Sequence, residues 1–133
     1  CITEFRWCID EENDDGDWWP VERNWREHRN TDIVSGISGA EIQTADPRSL
    51  SDLWSQLLTV PKRCDGDEWS LTVTAGVTIR FVKPTDGRPE GLSAIDLSVK
   101  DPENVLKVAA LHGCETGHDH FVISGLKLRL KVG

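Results

Sequence analysis

Two carboxylates and two guanidinium groups recur at matched positions in this chain, and they are its best candidates for chemistry. Glu41 stands five residues before Asp46-Pro47, and Asp96 stands five before Asp101-Pro102. Arg80 follows Gly76 by four residues, and Arg129 follows Gly125 by four. Two carboxylates sharing a cleft can act as acid and base when one raises the pKa of the other. The same four residues can also form plain cross-strand ion pairs, Glu41 with Arg80 and Asp96 with Arg129, and this reading is favoured because structural pairs place charge in clefts too. Arg80 could instead grip a carboxylate or phosphate through a bidentate contact. Strand alternation puts Thr78 on its face and directs Ser70, Thr72 and Thr74 the same way, while Gln43 shares a face with Glu41.

These matched positions belong to a repeat. Residues 39–49 (GAEIQTADPRS) and 94–104 (AIDLSVKDPEN) each run from an alternating strand through Asp-Pro into a helix-like stretch, 55 residues apart. Asp46 and Asp101 suit the N-cap, and Pro47 and Pro102 the first helical position. In the first helix Leu50, Leu53, Trp54, Leu57 and Leu58 suggest one apolar stripe. The second carries Val105, Leu106, Val108, Ala109 and Leu111 and ends at Gly113, a C′ glycine. EWSLTVTA and VTIRFVK predict a hairpin turning at Ala75-Gly76, with a weaker strand near Lys62–Asp65. HFVIS and LKLRLKV close the second unit. The order β-α-β-β-β therefore appears twice, at 37–84 and 91–132, joined by the Pro/Gly-rich PTDGRPEG.

Composition sets the wider frame. The chain has 133 residues, 38% hydrophobic and 29% charged, which is globular. Net charge is −8, and DEENDDGD at 10–17 supplies six of the negatives. No basic stripe argues for nucleic acid, and no apolar run reaches the length of a membrane span. The chain starts at Cys1 and contains no Met, so its observed start need not be the native one. Four scattered cysteines lack zinc spacing, and with no secretory signal they suggest reduced thiols in the cytoplasm.

The strand-Asp-Pro-helix units at Asp46-Pro47 and Asp101-Pro102, with the Gly-initiated final strands at Gly76 and Gly125, resemble the vicinal oxygen chelate superfamily, which includes glyoxalase I, extradiol dioxygenases and bleomycin-resistance proteins. Trp18, Trp19, Trp25 and His28-Arg29-Asn30 resemble a Trp-rich element that precedes this unit in glyoxalase-like members. The resemblance implies an α+β fold in which two tandem βαβββ modules form a cupped mixed sheet with helices on the outer face. Residues 1–36 would be an N-terminal strand (2–9), an acidic loop and a Trp-rich strap with a linker at 30–36, which the resemblance also allows to be the end of a preceding module, and 37–133 the paired domain.

Metal-using members of that superfamily take ligands from the first and last strands of each module. The first-strand position, seven residues before the capping Asp, holds Gly39 and Ala94 here, and the last strands offer Arg80 and Arg129, whose charge repels a cation. No metal and no cofactor are expected. His118 and His120 in GHDH read as a solvated turn rather than as metal or general-base groups. His112 at a helix C-terminus needs no function. Glu11, Asn13, Asp15, Gly16 and Glu22 fit a calcium loop only poorly, since position 1 is Glu and Pro20 interrupts it. Four tryptophans within the first 25 residues suggest a strap over a sheet edge, with a homodimer contact as the second reading.

The resulting expectation is a metal-free glyoxalase-like domain that binds a small polar or anionic molecule in the cup, with Glu41, Gln43, Thr72, Thr78, Arg80, Asp96 and Arg129 at the site. A lyase or isomerase using Glu41 or Asp96 as general base stays open, as does a structural or dimerisation module of a larger protein.

Overall fold

The computed structural model of the chain describes residues 25–74 and 76–133. Two units are distinguished, residues 1–31 and 32–133. Of the first, the described part is a 3-10 turn at Trp25–His28. The strand expected at 2–9, the acidic loop with its calcium-like spacing and the tryptophans at 7, 18 and 19 lie outside the described residues.

The second unit is one eight-stranded sheet with two helices. Module one contains β1 (Val34–Gln43), α1 (Pro47–Leu58), β2 (Lys62–Asp65), β3 (Glu68–Thr74) and β4 (Val77–Val82). Module two contains β5 (Gly91–Val99), α2 (Pro102–Leu111), β6 (Glu115–Thr116), β7 (His120–Ile123) and β8 (Leu126–Val132). Their order in the sheet is β2-β3-β4-β1-β5-β8-β7-β6, so one module mirrors the other about the central pair. β1 and β5 run antiparallel, whereas each lies parallel to the last strand of its own module. The open mixed sheet is the α+β architecture expected. β1 starts at Val34, three residues ahead of the expected Ile37, so part of the anticipated linker is strand.

Local chemistry explains the repeat. Asp46 Oδ1 accepts the Ser49 N–H at 3.0 Å, and Asp101 Oδ1 accepts that of Asn104 at 3.0 Å. Each Asp thereby satisfies one of the orphan donors of a helix start, with Pro in the first turn where no N–H is needed. α2 ends in a Schellman motif: Gly113 (φ +77) donates to Ala110 O and Cys114 to Ala109 O, both at 3.0 Å. Ser124 and Gly125, both at positive φ, make the two-residue hairpin joining β7 to β8.

Each module has its own core on one face of the sheet. Leu71, Phe81 and Ile42 pack with Leu50 and Trp54 of α1, and Trp54 meets Phe81 edge-on at 5.7 Å. Val99, Phe121 and Leu130 pack with Val105, Leu106 and Ala109 of α2. Both helical stripes are narrower than expected. Leu53 and Leu57 are exposed, because the helical period aligns Pro47, Leu50, Ser51 and Trp54 on the sheet and rotates the other two leucines away. Val108 and Leu111 are likewise exposed. With the apolar residues turned to the helices, alternation leaves Glu41, Arg80, Asp96, Arg129, Lys127 and His120 on the helix-free face. Among the described residues no helix is long and apolar enough to cross a membrane.

Candidate functional site

The backbone register matches Glu41 with Arg80 and Asp96 with Arg129, as the repeat requires. The side chains, however, do not follow the register. Arg80 forms a bidentate pair with Asp96, its Nη2 donating to Oδ1 at 2.8 Å and its Nη1 to Oδ2. Arg129 Nη1 donates to Glu41 Oε2. Of the expected in-register ion pairs, Glu41 with Arg80 is present as a longer contact, whereas Asp96 with Arg129 is corrected: each arginine gives its hydrogen bonds to the carboxylate of the other module. Arg80 retains only longer contacts, 3.7 Å to Glu41 and 3.8 Å to Glu68.

The crossing follows from which residues stand between the partners. Across the central strands Gly39 faces Asp96, and Ala94 faces Glu41. Arg80 on β4 must pass over β1 to reach β5, and at Gly39 no side chain blocks it. Arg129 on β8 passes over β5 at Ala94. The two positions that lack a metal-ligating side chain are thus the two that let the arginines cross.

The cluster is largely out of water, with 4% of the Asp96 and 9% of the Glu41 side chain exposed. Burial pushes both carboxyls up, yet the net shift is down. Hydrogen bonds from Arg129 and Ser93 and the two guanidinium charges offset it for Glu41. For Asp96 the Arg80 hydrogen bonds and charge do so, aided by Lys131 and Arg129. The Asp96 hydrogen bonds in turn hold the Arg80 pKa above its ordinary value. Neither carboxyl is the raised acid that a two-carboxylate mechanism needs.

A pH dependence follows. Because both carboxyls are lowered in the folded state, their stabilisation is complete above the unfolded values of 4.5 and 3.8 and is lost as pH falls through the folded ones. The melting temperature should hold steady down to about pH 5 and then fall. The double variant Glu41→Gln, Asp96→Asn should show a shallower fall between about pH 5 and 3. Parallel melting curves for the two proteins would show that the network contributes nothing.

The remaining site candidates separate. Gln43 is buried, and its Nε2 donates to Pro89 O at 3.0 Å, Asp86 Oδ1 at 3.1 Å and Arg88 O at 3.2 Å, so it fastens the inter-module connector. Thr78 and Thr72 pair across β4 and β3, and Ser70 pairs with Arg80, which puts all three on the helix-free face as expected. Thr72 is exposed. His118 is exposed, but His120 opens β7 and lines a polar cavity of about 350 Å³ with Asp86, Arg88, Glu115, Val122 and Lys127. Its Nδ1 lies 2.9 Å from Asp119 Oδ1. The solvated-turn reading of His120 is thereby corrected. Sequence reasoning also missed Ser93, whose Oγ donates to Glu41 Oε1 at 2.8 Å. It sits at a shift in the β1–β5 register that simple alternation does not foresee.

These residues do not fit a divalent metal. An ideal Cβ on Gly39 would lie 2.7 Å from Thr78 O and 2.8 Å from Asp96 Oδ2, so the place of a first-strand ligand is already filled. Guanidinium groups occupy the last-strand positions, and both central carboxylates are engaged by them. Among the described residues no group of three or more His, Cys, Asp or Glu could hold a metal ion.

Comparison with solved structures places the fold. Methylmalonyl-CoA epimerase from Mycobacterium tuberculosis matches 82% of this chain and 96% of its own at a TM-score of 0.59, with 14% identity. A variant of 4-hydroxymandelate synthase from Streptomyces coelicolor matches 74% of this chain, which spans 37% of that one, at 0.58 and 16% identity. A hypothetical protein from Bacillus halodurans matches 74% of this chain and 95% of its own at 0.54 and 11% identity. The likeness is one of fold: these proteins share the paired βαβββ architecture described above. No family model and no curated protein matches the chain.

Proposed function

We propose that this chain is a metal-free domain that binds a small polar or anionic molecule on the helix-free face of its sheet. The polar cavity bounded by His120, Lys127, Glu115 and Arg88 carries this reading. Its volume of about 350 Å³ lies at the low end for small-molecule sites, and it sits on the sheet face that bears the polar side chains. The filled space at Gly39 and the paired Arg80 and Arg129 support the absence of a metal. They also weigh against Glu41 or Asp96 as general base, since each carboxylate is held low and covered by a guanidinium. The absence of a basic stripe supports a small ligand rather than nucleic acid.

Two measurements test the reading. Elemental analysis of the purified protein should find zinc, nickel, iron and manganese well below one ion per chain. Titration with acetate, malonate and lactate, followed by amide NMR, should move resonances clustered at residues 115–129. One tightly held metal per chain, or shifts confined to other regions, would overturn the proposal.

A further inference from the structure

We infer that the module-two cavity is built for a small zwitterion of the amino-carboxylate class, with its carboxylate on Lys127 and its ammonium on Glu115 and His120 Nε2. This rests on the small-molecule reading above and specifies its ligand. The cavity is lined by charges of both signs, and they divide into two groups. Asp86 and Arg88 neutralise each other, Arg88 Nε donating to Asp86 Oδ2 at 2.8 Å, and Asp86 is further tied to Gln43. Glu115 and Lys127 line the same cavity but have no partner among the described residues, and they do not pair with one another.

Their placement explains why. Glu115 on β6 and Lys127 on β8 both register with Val122 on the intervening β7. Two strand spacings put their backbones roughly 10 Å apart. One negative and one positive charge therefore face the cavity from opposite sides of an apolar floor. A simple anion there would meet Lys127 but be repelled by Glu115, and a simple cation would meet the reverse. A short molecule bearing both charges complements both walls.

His120 sharpens the polarity. Its Nδ1 faces Asp119, whose carboxyl that hydrogen bond holds below its ordinary value and hence in the acceptor form. Assigned from this bond, the proton of the neutral ring sits on Nδ1, which leaves Nε2 as an acceptor. No described residue engages Nε2. The ring is also seated: an ideal Cβ on Gly117 would lie 2.7 Å from both ring nitrogens, so the imidazole occupies space that any other residue at 117 would contest. The Gly117 N–H donates to His120 O at 2.8 Å and pins the backbone beneath. Beside the mutually paired Asp86 and Arg88, the cavity thus offers two acceptors, Glu115 and His120 Nε2, and the ammonium of Lys127, which is the donor–acceptor complement of an ammonium and a carboxylate.

The test is an amide-NMR titration of the full chain with glycine, 4-aminobutyrate, acetate and methylammonium. At least one of the two zwitterions should move the His120, Val122 and Lys127 resonances and bind about tenfold or more tightly than acetate or methylammonium. Lys127→Met and Glu115→Gln should each weaken it by about tenfold, the scale of one charge-assisted contact. His120→Gln, which keeps an acceptor, should lose less than His120→Ala. Melting curves matching the parent's would confirm that these variants fold. Acetate binding as tightly as the zwitterions, undiminished in Glu115→Gln, would sink the zwitterion while leaving the small-anion reading intact. No shift at residues 115–129 with any probe, these or the carboxylates above, would sink both.

Discussion

Arg80→Ala should lower the unfolding free energy by roughly 3–5 kcal/mol, the range for breaking a buried ion pair from one side. The loss is large because Asp96, with 4% of its side chain exposed, would be left as a buried carboxylate without its bidentate partner. Removing both charges should cost far less. The pair Arg80→Leu, Asp96→Leu replaces the bridge with apolar contact, and such replacements are often neutral or stabilising. Denaturant unfolding of the single and double variants reads this directly, and a single-variant loss below about 1 kcal/mol would place the bridge among weak surface pairs.

The crossing itself is open to measurement. Coupling energies from double-mutant cycles should be larger for Arg80 with Asp96 than for Arg80 with Glu41, whose nearest approach is 3.7 Å. They should also be larger for Arg129 with Glu41 than for Arg129 with Asp96. The reverse order would mean that the pairs follow the backbone register in solution. Crossed pairs tie module one to module two, whereas in-register pairs would only reinforce ladders that the backbone already holds.

Much of the fold was legible in the chain because its signals are local. Asp-Pro followed by a helical period marks a cap wherever it occurs, so Asp46 and Asp101 located both helices. Gly76 and Gly125 mark hairpins because they supply positive φ. The register placing Glu41 beside Arg80 follows from counting along alternating strands. The partner each arginine chooses does not, because it depends on two strands meeting at the middle of the sheet and on what stands between them. Ser93 was hidden for a related reason: a register shift moves one residue out of the alternation. His120 read as part of a polar turn because its neighbours in sequence are polar. What makes it a cavity residue is the paired strand carrying Lys127, which is not local, together with the room that Gly117 leaves for its ring. Gln43 read as a cup residue from its face alone, yet the connector folds back and uses its amide.

Gly39→Ala should destabilise the chain by about 1–3 kcal/mol, the range for forcing an extra methyl into packed structure. The added methyl would meet Thr78 O at 2.7 Å and Asp96 Oδ2 at 2.8 Å. The first contact is backbone in the β1–β4 ladder and cannot swing aside. The second is the carboxylate that Arg80 grips, so relief there comes at the expense of the bridge. Gly36→Ala on the same strand is the control. Nothing lies within 4 Å of its ideal Cβ, and its exposed position predicts a neutral or slightly stabilising change, up to about 1 kcal/mol, through the unfolded chain. Combining Gly39→Ala with Asp96→Ala separates the two contacts. With the carboxylate gone only the Thr78 carbonyl opposes the methyl, so the glycine substitution should cost less there than in the parent. Equal costs in both backgrounds would show that the ladder alone requires glycine and that the passage of Arg80 over β1 does not depend on it.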